Sequence, residues 1–316
     1  MKVAICGVWH VHAGGYAKTA KENAEVIGVW EADSERKAKF AENHEIPVFD
    51  TLDDLLASDA EGVIVCASTN IHADVMVKIA DAGKHIFTEK VLTLTDEEAN
   101  MVAEAVARNN VKFVISYPWK KNAGVITLKN MVDAGDIGVI NFFRFRNCHG
   151  GSASNWLPKH FYNAEECGGG AMIDLGAHGM YLTDWFCGVP VSYKSVFTNA
   201  CINEDANAIN IDRVEDNAVT IMGFENGCIA INETGFVSKH YPCVLEIGGS
   251  TGSLMWYGDN TIIKRSEAGV EEIAVDESVA TISPLRQFLS GNILPGYGIE
   301  EAKRLTHMMV EAYKNR

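Results

Sequence analysis

The feature that most constrains the fold is a regular alternation of strand-like and helix-like segments through the first 120 residues. Short runs rich in β-branched and aromatic residues predict strands; they span residues 2–7, 26–30, 62–68, 85–90 and 111–117. Amphipathic segments between them predict helices over 13–23, 34–43 and 72–82, and a further helix from the capping box formed by Thr95 and Glu98. Such alternation gives parallel strands with helices on both faces of the sheet.

The pattern changes after about residue 120. A predicted helix over 123–134 ends at Gly135, one near 174–186 follows, and a last amphipathic helix covers 299–314. Between them the predicted strands are 139–147, 194–198, 218–224, 227–234, 243–248 and 252–257. Residues Glu225–Gly227 read as a hairpin turn. We therefore predict a nucleotide-binding-type α/β domain over 1–120 and an α+β domain with a large, mostly antiparallel open sheet over 121–316.

Length and charge limit the function classes. A chain of 316 residues suits two domains. The net charge of −15 argues against a nucleic-acid or acidic-membrane partner, because both require a positive surface. No apolar run approaches the length of a membrane span, and the first residues lack the pattern of a signal peptide. We expect a cytoplasmic protein with a small-molecule partner.

The eight cysteines are scattered and form no C-x-x-C pair, which predicts reduced thiols. A metal centre is conceivable from one group of cysteine and histidine residues, namely Cys148, His149, His160, Cys167 and His178. Their spacing fits no structural zinc pattern, so we expect no metal.

The loop after the first strand, CGVWHVHAGGY (residues 6–16), lies where a phosphate-binding loop is usually found. In the G-x-G-x-x-G pattern the three glycine positions are occupied by Gly7, Trp9 and His12, so only the first glycine is kept. The loop still leads into a helix N-terminus, which favours an anion, and His10 or His12 can donate to a phosphate oxygen. The alternative is an ordinary strand-to-helix turn with Trp9 in the core.

A carboxylate follows the second strand. Glu31 lies nineteen residues beyond the third glycine position, where an acidic residue holds the adenosine ribose hydroxyls. A carboxylate there repels a 2′-phosphate, and the next residues, Ala32 and Asp33, offer no compensating cation. The sequence therefore predicts NAD in preference to NADP.

Three later stretches carry a family resemblance. Residues 67–95, 168–188 and 216–236 resemble the Gfo/Idh/MocA oxidoreductases, which include glucose-fructose oxidoreductase and inositol dehydrogenase. The second stretch keeps the D-x-G-x-H core of that family as Asp174, Gly176 and His178. The likeness runs in order through nearly the whole chain. It implies a Rossmann NAD-binding domain followed by the α+β sheet domain, and a homo-oligomer, a dimer or tetramer, built on the open face of that sheet.

The resemblance also implies a catalytic set of Lys90, Asp174 and His178 around the nicotinamide. From the residues alone, Asp174 and His178 are spaced i,i+4, so a helix would place both on one face, and a carboxylate beside an imidazole suits a general base. The alternative is a helix-capping Asp174 and a structural His178. Lys90 ends a strand at the ligand-binding edge of a parallel sheet; a snorkelling surface lysine is the alternative. The glycines at 168–170 are expected to leave room for a ligand.

The remaining predicted contacts come from the loops after the strands. The cofactor-binding residues predicted are Gly7, Trp9, His10, Val11, His12, Glu31, Ser68, Thr69, Asn70, His72, Glu89 and Lys90. The substrate-binding residues predicted are Tyr117, Trp119, Lys120, Trp156, His160, Asp174 and His178. Aromatic faces mixed with polar groups suit a polyhydroxylated substrate. The chain departs from the family in having Val91 where a proline follows the Glu-Lys pair.

The resulting functional prediction is an NAD-dependent oxidoreductase that transfers a hydride between the nicotinamide and a hydroxyl or keto carbon of a sugar, glycoside or cyclic polyol. Two alternatives stay open. One is a redox-neutral enzyme that retains NAD and oxidises a glycoside transiently, so that elimination or epimerisation follows. The other is a catalytically silent nucleotide-binding scaffold.

Overall fold

The computed structural model of the chain describes residues 1–200, 214–240 and 243–316. These residues form two compact units. The first unit consists of Met1–Tyr117 and Ile282–Thr306, and the second of the described residues within Pro118–Thr281 and His307–Arg316.

The predicted division of the chain at residue 120 differs from these units in one segment. Ile282–Thr306 packs with the first unit because its apolar side chains enter that core. The ring of Phe288 lies 6.1 Å from the ring of Phe87, and the backbone N–H of Ile115 donates to the carbonyl of Tyr297 at 2.9 Å.

The first unit is built on a five-stranded parallel sheet, as predicted. Its strands are β1 (Lys2–Cys6), β2 (Glu25–Trp30), β3 (Gly62–Val65), β4 (His85–Thr88) and β5 (Phe113–Ile115), in the order β2-β1-β3-β4-β5. The order reverses at β1, which pairs with β2 on one side and β3 on the other. Ligands of such sheets bind outside the carboxyl ends of the strands at this point. We call this edge, with the loops that follow β1 to β5, the carboxyl edge.

Helices of the first unit connect the strands. They are α1 (Ala13–Asn23), α2 (Ser34–His44), α3 (Leu52–Ala57), α4 (His72–Asp81), α5 (Asp96–Arg108) and the later helix Pro284–Ser290. The capping box of Thr95 and Glu98 is confirmed at the start of α5. A second capping box, of Thr51 and Asp54, starts α3, a short helix that the sequence analysis missed.

The second unit contains an eight-stranded sheet. Its strands are β6 (Ile140–Cys148), β7 (Ser192–Thr198), β8 (Asn217–Gly223), β9 (Ile229–Gly235), β10 (Val244–Gly249), β11 (Gly252–Trp256), β12 (Thr261–Ser266) and β13 (Gly269–Ala274). The order is β13-β12-β11-β10-β6-β9-β8-β7, and every pair is antiparallel except β6 with β9. The predicted hairpin turn is confirmed between β8 and β9, where Gly227 has a φ of +82°.

Helices cover one face of this sheet, and on the other face, which we call the open face, described side chains of β7, β8 and β9 are exposed. The helices of the second unit are α6 (Ala123–Asp133), α7 (Ala164–Cys167) and α8 (Ala177–Cys187), and α8 packs on β6 and β9. Phe143 and Phe145 of β6 are fully buried on the covered face. The C-terminal helix Ile299–Lys314 has the predicted bounds. Within the described ranges, no helix is long and apolar enough to cross a membrane.

Candidate active site

The loop after β1 is tied to the residues that follow β3. Gly7 has a φ of +82°, and a Cβ on it would lie 2.3 Å from the Cα of Ala67, so only glycine fits. The backbone N–H groups of Trp9 and His10 both donate to the carbonyl of Cys66, at 3.0 and 3.2 Å. The Trp9 side chain is 4% exposed and belongs to the core, as the alternative interpretation of this loop expected.

A histidine of the loop is paired with a buried carboxylate. His12, nearly half exposed, precedes α1, and its Nδ1 lies 2.8 Å from Oε1 of Glu89 at the end of β4. Glu89 is 1% exposed; its Oε1 also accepts a hydrogen bond from the Tyr16 hydroxyl, and its Oε2 accepts the backbone N–H of Lys90 at 3.1 Å. The Tyr16 hydroxyl lies 2.8 Å from Oγ of Ser116. The network joins the loops after β1, β4 and β5.

This environment keeps Glu89 ionised. Burial alone would raise the pKa of its carboxyl, but the charges of His10, His12 and Lys90, with the hydrogen bond from His12, hold that pKa well below its usual value. One ligand-type atom from each of His10, His12 and Glu89 lies within 4.8 Å of the others, a set that could hold a metal ion. The 2.8 Å separation of Nδ1 and Oε1 is that of a direct charge-assisted hydrogen bond, so we interpret the cluster as an ionic network.

Glu31 is buried at the end of β2, where the sequence predicts the ribose-binding carboxylate. Its Oε2 accepts the backbone N–H of Val8 at 2.7 Å, and its Oε1 accepts the backbone N–H of Asp33 at 3.1 Å. Oε1 also accepts a hydrogen bond from Nη2 of Arg36 at 3.1 Å. Ala32 and Asp33 offer no cation, as expected, but the first turn of α2 brings Arg36 back to Glu31.

The loops after β3 and β4 are fixed by a buried histidine. Nε2 of His72 lies 3.1 Å from the carbonyl of Ala67, and Nδ1 lies 3.1 Å from the carbonyls of Val91 and Leu92. Burial lowers the pKa of His72. Its side chain thus clamps the two loops together. Lys90 is 5% exposed, and the peptide bond between Lys90 and Val91 is cis.

The carboxyl edge fits a dinucleotide. The N-terminus of α1 supplies N–H groups and a positive dipole end for a pyrophosphate. A Cβ added to Gly15 in the first turn would meet nothing within 4 Å, so the backbone there is open to a ligand. Glu31 stays the predicted carboxylate for the adenosine ribose. The half-buried Ser68 and Thr69 and the exposed Val11 and Asn70 lie in loops of the same edge, and their cofactor contacts stay predictions.

In the second unit the predicted catalytic segment is partly a π-helix. Met172–Gly176 forms the π turn that contains half-buried Asp174, and α8 continues directly with His178. A π turn changes the angular spacing of side chains from that of an α-helix, so the i,i+4 argument for Asp174 and His178 does not carry over. π turns are frequent at functional sites.

His178 is held by a residue that the sequence analysis missed. It is 6% exposed, and its Nδ1 lies 3.0 Å from the hydroxyl of Tyr181, one helical turn further on. The same hydroxyl accepts the backbone N–H of Trp119 at 3.1 Å. Tyr181 thereby connects His178 with one of the predicted substrate-binding residues. In the sequence, the signal for this contact is the i,i+3 spacing of His178 and Tyr181 in the stretch AHGMY.

The positions before Asp174 require glycine for a different reason from the predicted one. A Cβ on Gly169 would lie 1.9 Å from the Tyr313 hydroxyl, and a Cβ on Gly170 would lie 1.9 Å from the carbonyl oxygen of Glu215. Their prediction as space for a ligand is therefore wrong for these two positions, because protein atoms occupy that space. The buried carboxylate of Glu215 accepts the N–H groups of Gly170 and Met172 at 2.9 Å and the Tyr313 hydroxyl at 2.7 Å. These bonds fix the start of the π turn.

The other predicted substrate-binding residues have mixed environments. Tyr117 is fully buried in the first unit and donates to the carbonyl of Glu301 at 3.1 Å, so its side chain serves that core. Lys120 is 7% exposed, with Nζ 5.1 Å from the centre of the Trp185 ring. The remaining two predicted residues are Trp156, which is exposed, and His160, which is half-buried.

The cysteines of the described ranges are free thiols, and Cys201 lies outside those ranges. Burial raises the pKa of Cys148 and of Cys167 to about 11 in each case. A thiol with so high a pKa is a poor nucleophile at neutral pH.

The parallel sheet, the turn after β1 and the buried carboxylate after β2 define the first unit as a dinucleotide-binding domain. Residues 1–117 match the oxidoreductase family described by its NAD-binding Rossmann fold, and residues 125–255 match the GFO/IDH/MocA C-terminal domain. Together the two matches span most of the chain, which belongs to the GFO/IDH/MocA oxidoreductase family. The predicted family and the predicted cofactor, NAD, are confirmed.

Named relatives agree with this family. Levoglucosan dehydrogenase from Pseudarthrobacter phenanthrenivorans is 25% identical over 216 residues, which cover 63% of this chain and 55% of that protein. Inositol 2-dehydrogenase from Salmonella paratyphi B is 31% identical over 144 residues, which cover 44% of this chain and 43% of that protein. The chain thus spans about half the length of these relatives.

A solved structure shares the whole fold. A levoglucosan dehydrogenase in complex with NADH superposes with a TM-score of 0.84 at 17% identity, covering 100% of this chain and 96% of its own. The predicted fold class, a Rossmann domain followed by a domain with a large, mostly antiparallel sheet, is confirmed.

Proposed function

We propose that the protein is an NAD-dependent dehydrogenase that oxidises a hydroxyl group of a sugar, glycoside or cyclic polyol. The observation that carries the proposal is the setting of His178, a buried imidazole held through Nδ1 by Tyr181 directly after a π turn. An imidazole fixed at one nitrogen can exchange a proton at the other, as a general base must. The names of the two relatives above, a levoglucosan and an inositol dehydrogenase, support a carbohydrate-like substrate.

The roles of the side chains follow from this assignment. Bound NAD supplies the hydride acceptor. His178 takes the proton of the substrate hydroxyl through Nε2, because Nδ1 is engaged by Tyr181. Lys90 stabilises the developing negative charge on the substrate oxygen, and Asp174 tunes His178. These three roles are carried from the family resemblance.

The test is turnover of a panel of sugars, glycosides and polyols, followed by the appearance of NADH. The variants are His178→Ala and Lys90→Met, with exposed residues of the same types, His307 and Lys78, replaced by Ala and Met as matched controls. We expect each active-site variant to lose about 10²–10⁴-fold in kcat, while its NADH affinity and both controls stay near wild type. Full activity in both active-site variants would refute the assignment.

The same assay separates the proposal from its alternatives. A dehydrogenase accumulates NADH in step with a keto product. Product formation without accumulating NADH would instead identify a redox-neutral enzyme, and nucleotide binding without turnover across the panel would identify a silent scaffold.

We further propose that the protein forms a homo-oligomer through the open face of the second unit's sheet. Four aliphatic side chains on this face, Val196, Val219, Ile221 and Ile229, are 37–68% exposed, and such exposed patches mark interaction surfaces. Val219→Lys and Ile221→Lys together should convert the oligomer to a monomer in light scattering. A wild-type monomer at micromolar concentration would contradict this.

A further inference from the structure

The second unit contains a cavity that the proposed function does not use. Its volume is about 360 Å³, which lies within the range of small-molecule sites. Residues of α7, β7 and the C-terminal helix line it, and all its described lining residues belong to the second unit. They do not include Lys90, Asp174 or His178, so the cavity is separate from the predicted catalytic set.

Glu215 presents one carboxylate oxygen to this cavity. The side chain is 6% exposed, and its Oε1 receives all three of its hydrogen bonds, from Gly170, Met172 and the Tyr313 hydroxyl. Its Oε2 accepts no hydrogen bond from the residues that the structure describes, and it is not among the fully enclosed polar atoms. A carboxylate oxygen that is nearly buried and lacks a donor is costly. A ligand in the cavity can reach Oε2 and supply that donor.

A cation lines the same cavity. Arg316 is exposed, and its Cζ lies 5.7 Å from the centre of the Tyr313 ring. Over the described part of the chain, neither Arg316 nor Glu215 forms an ion pair, with each other or with a third residue. The cavity therefore offers two opposite charges at separate points of its wall. A ligand that carries both complementary charges can satisfy the two together.

The groups around the cavity define the chemistry of such a ligand. An ammonium group supplies N–H donors to a carboxylate, and a carboxylate matches the planar donor fork of a guanidinium. Apolar side chains also line the cavity, namely Ala164, Phe197 and Val214. The Phe197 ring is half-buried and packs edge-on against Tyr313, with 5.0 Å between the ring centres. This apolar wall favours an aliphatic group on the ligand.

We propose that this cavity binds a small zwitterion, an α-amino acid with an apolar side chain. Its ammonium group donates to Oε2 of Glu215, its carboxylate accepts from Arg316, and its side chain packs on Phe197. The site does not depend on the proposed function. Because Glu215 also holds the start of the π turn through the N–H groups of Gly170 and Met172, the ligand contacts the group that fixes the predicted catalytic segment.

The test is calorimetric titration of the full-length protein with three probes that share one carbon skeleton. They are L-leucine, 3-methylbutylamine, which lacks the carboxylate, and 4-methylpentanoate, which lacks the ammonium group. We expect L-leucine to bind at one site per chain. Each of the other two probes should bind at least about tenfold more weakly, because it loses a charge-assisted hydrogen bond. Equal affinity for the three probes, or no binding of L-leucine at concentrations on the order of 10 mM, would overturn the inference.

Arg316→Gln tests one end of the site. It should weaken L-leucine by about tenfold or more and leave 3-methylbutylamine within about twofold of wild type, because the amine does not need the guanidinium. Arg265→Gln is the matched control, since Arg265 is an exposed residue of β12 in the same unit and does not line the cavity. It should bind L-leucine as wild type does.

Glu215→Gln tests the other end, and it should weaken both probes that carry an ammonium group. Because Glu215 also supports the fold, Arg316→Gln decides the question where Glu215→Gln fails to fold. Unchanged L-leucine affinity in Arg316→Gln would overturn the inference. It would leave the proposed function standing, since that function is tested by turnover and by NADH binding in the first unit.

Discussion

Replacing Glu89 by glutamine tests whether the loop after β1 is held by charge. The carboxylate is 1% exposed and accepts hydrogen bonds from His12, Tyr16 and the backbone N–H of Lys90. Glutamine has nearly the same shape but no charge, and its NH₂ group can only donate. One of the donors that now reach Glu89 would therefore face another donor.

The expected loss of stability follows from the burial of the Glu89 carboxylate and from the number of hydrogen bonds that it accepts. Hydrogen bonds to a charged group contribute about 1.5–3 kcal/mol each, but desolvation of the carboxylate opposes them. Removing one member of a buried charge pair costs about 3–5 kcal/mol in measured cases. Since His12 is nearly half exposed and its charge can be resolvated, we expect Glu89→Gln to lower the free energy of unfolding by ~3 kcal/mol at neutral pH.

The assay is urea denaturation of wild type, Glu89→Gln and the control Glu98→Gln across a pH series. Glu98 closes the capping box of α5, where glutamine serves equally, so the control should change stability by less than about 0.5 kcal/mol. Because the folded pKa of Glu89 is lowered, its contribution is fully present above the unfolded pKa of about 4.3 and is lost as the pH falls from there towards the folded pKa. The difference in the free energy of unfolding between wild type and Glu89→Gln should therefore shrink as the pH falls through that window. A Glu89→Gln variant as stable as wild type at neutral pH would refute the electrostatic account.

Three further changes test the second unit. Tyr181→Phe removes the hydroxyl 3.0 Å from Nδ1 of His178 and should lower kcat by about tenfold, with the substrate KM little changed. A shift of the pH profile of kcat would show that the effect passes through His178. An unaltered kcat would exclude a role of Tyr181 in positioning His178. Gly170→Ala places a methyl group 1.9 Å from the carbonyl oxygen of Glu215 and should cost about 1–3 kcal/mol in thermal unfolding, whereas no loss would show that the π turn adjusts freely. Tyr313→Phe removes one hydrogen bond to Glu215 and should cost about 1 kcal/mol; in chemical denaturation, a larger loss than for Gly170→Ala would contradict the packing argument.

Local signals in the sequence predict much of the fold. α1 and the C-terminal helix have the predicted bounds because their apolar spacing is regular, and Thr95 marks the start of α5 through its capping box. The edge strand β13 and its neighbour β12 were missed because charged residues interrupt their apolar pattern, although Ile262 of β12 is fully buried. Their segment, TIIKRSEAGVEEIA, carries charges that suit an exposed edge and hide the alternation on which strand prediction depends.

The candidate site was predictable in part. Its loops follow strands of a parallel sheet, so their assembly at one edge follows from topology alone. The pairing of Glu31 with Arg36 depends on how the first turn of α2 folds back, and the bonds of Glu215 join segments far apart in the sequence. No local pattern encodes such contacts. The space assigned to Gly169 and Gly170 was misread for the same reason.

The dinucleotide has to bind at a loop that keeps only Gly7 of the three expected glycines. Calorimetric titration of NADH into nucleotide-free protein tests this directly. Because the N-terminus of α1, the open backbone at Gly15 and the carboxylate of Glu31 lie at one edge, we predict saturable binding with one site per chain. No heat of binding, in protein shown to be folded and free of retained nucleotide, would contradict the account.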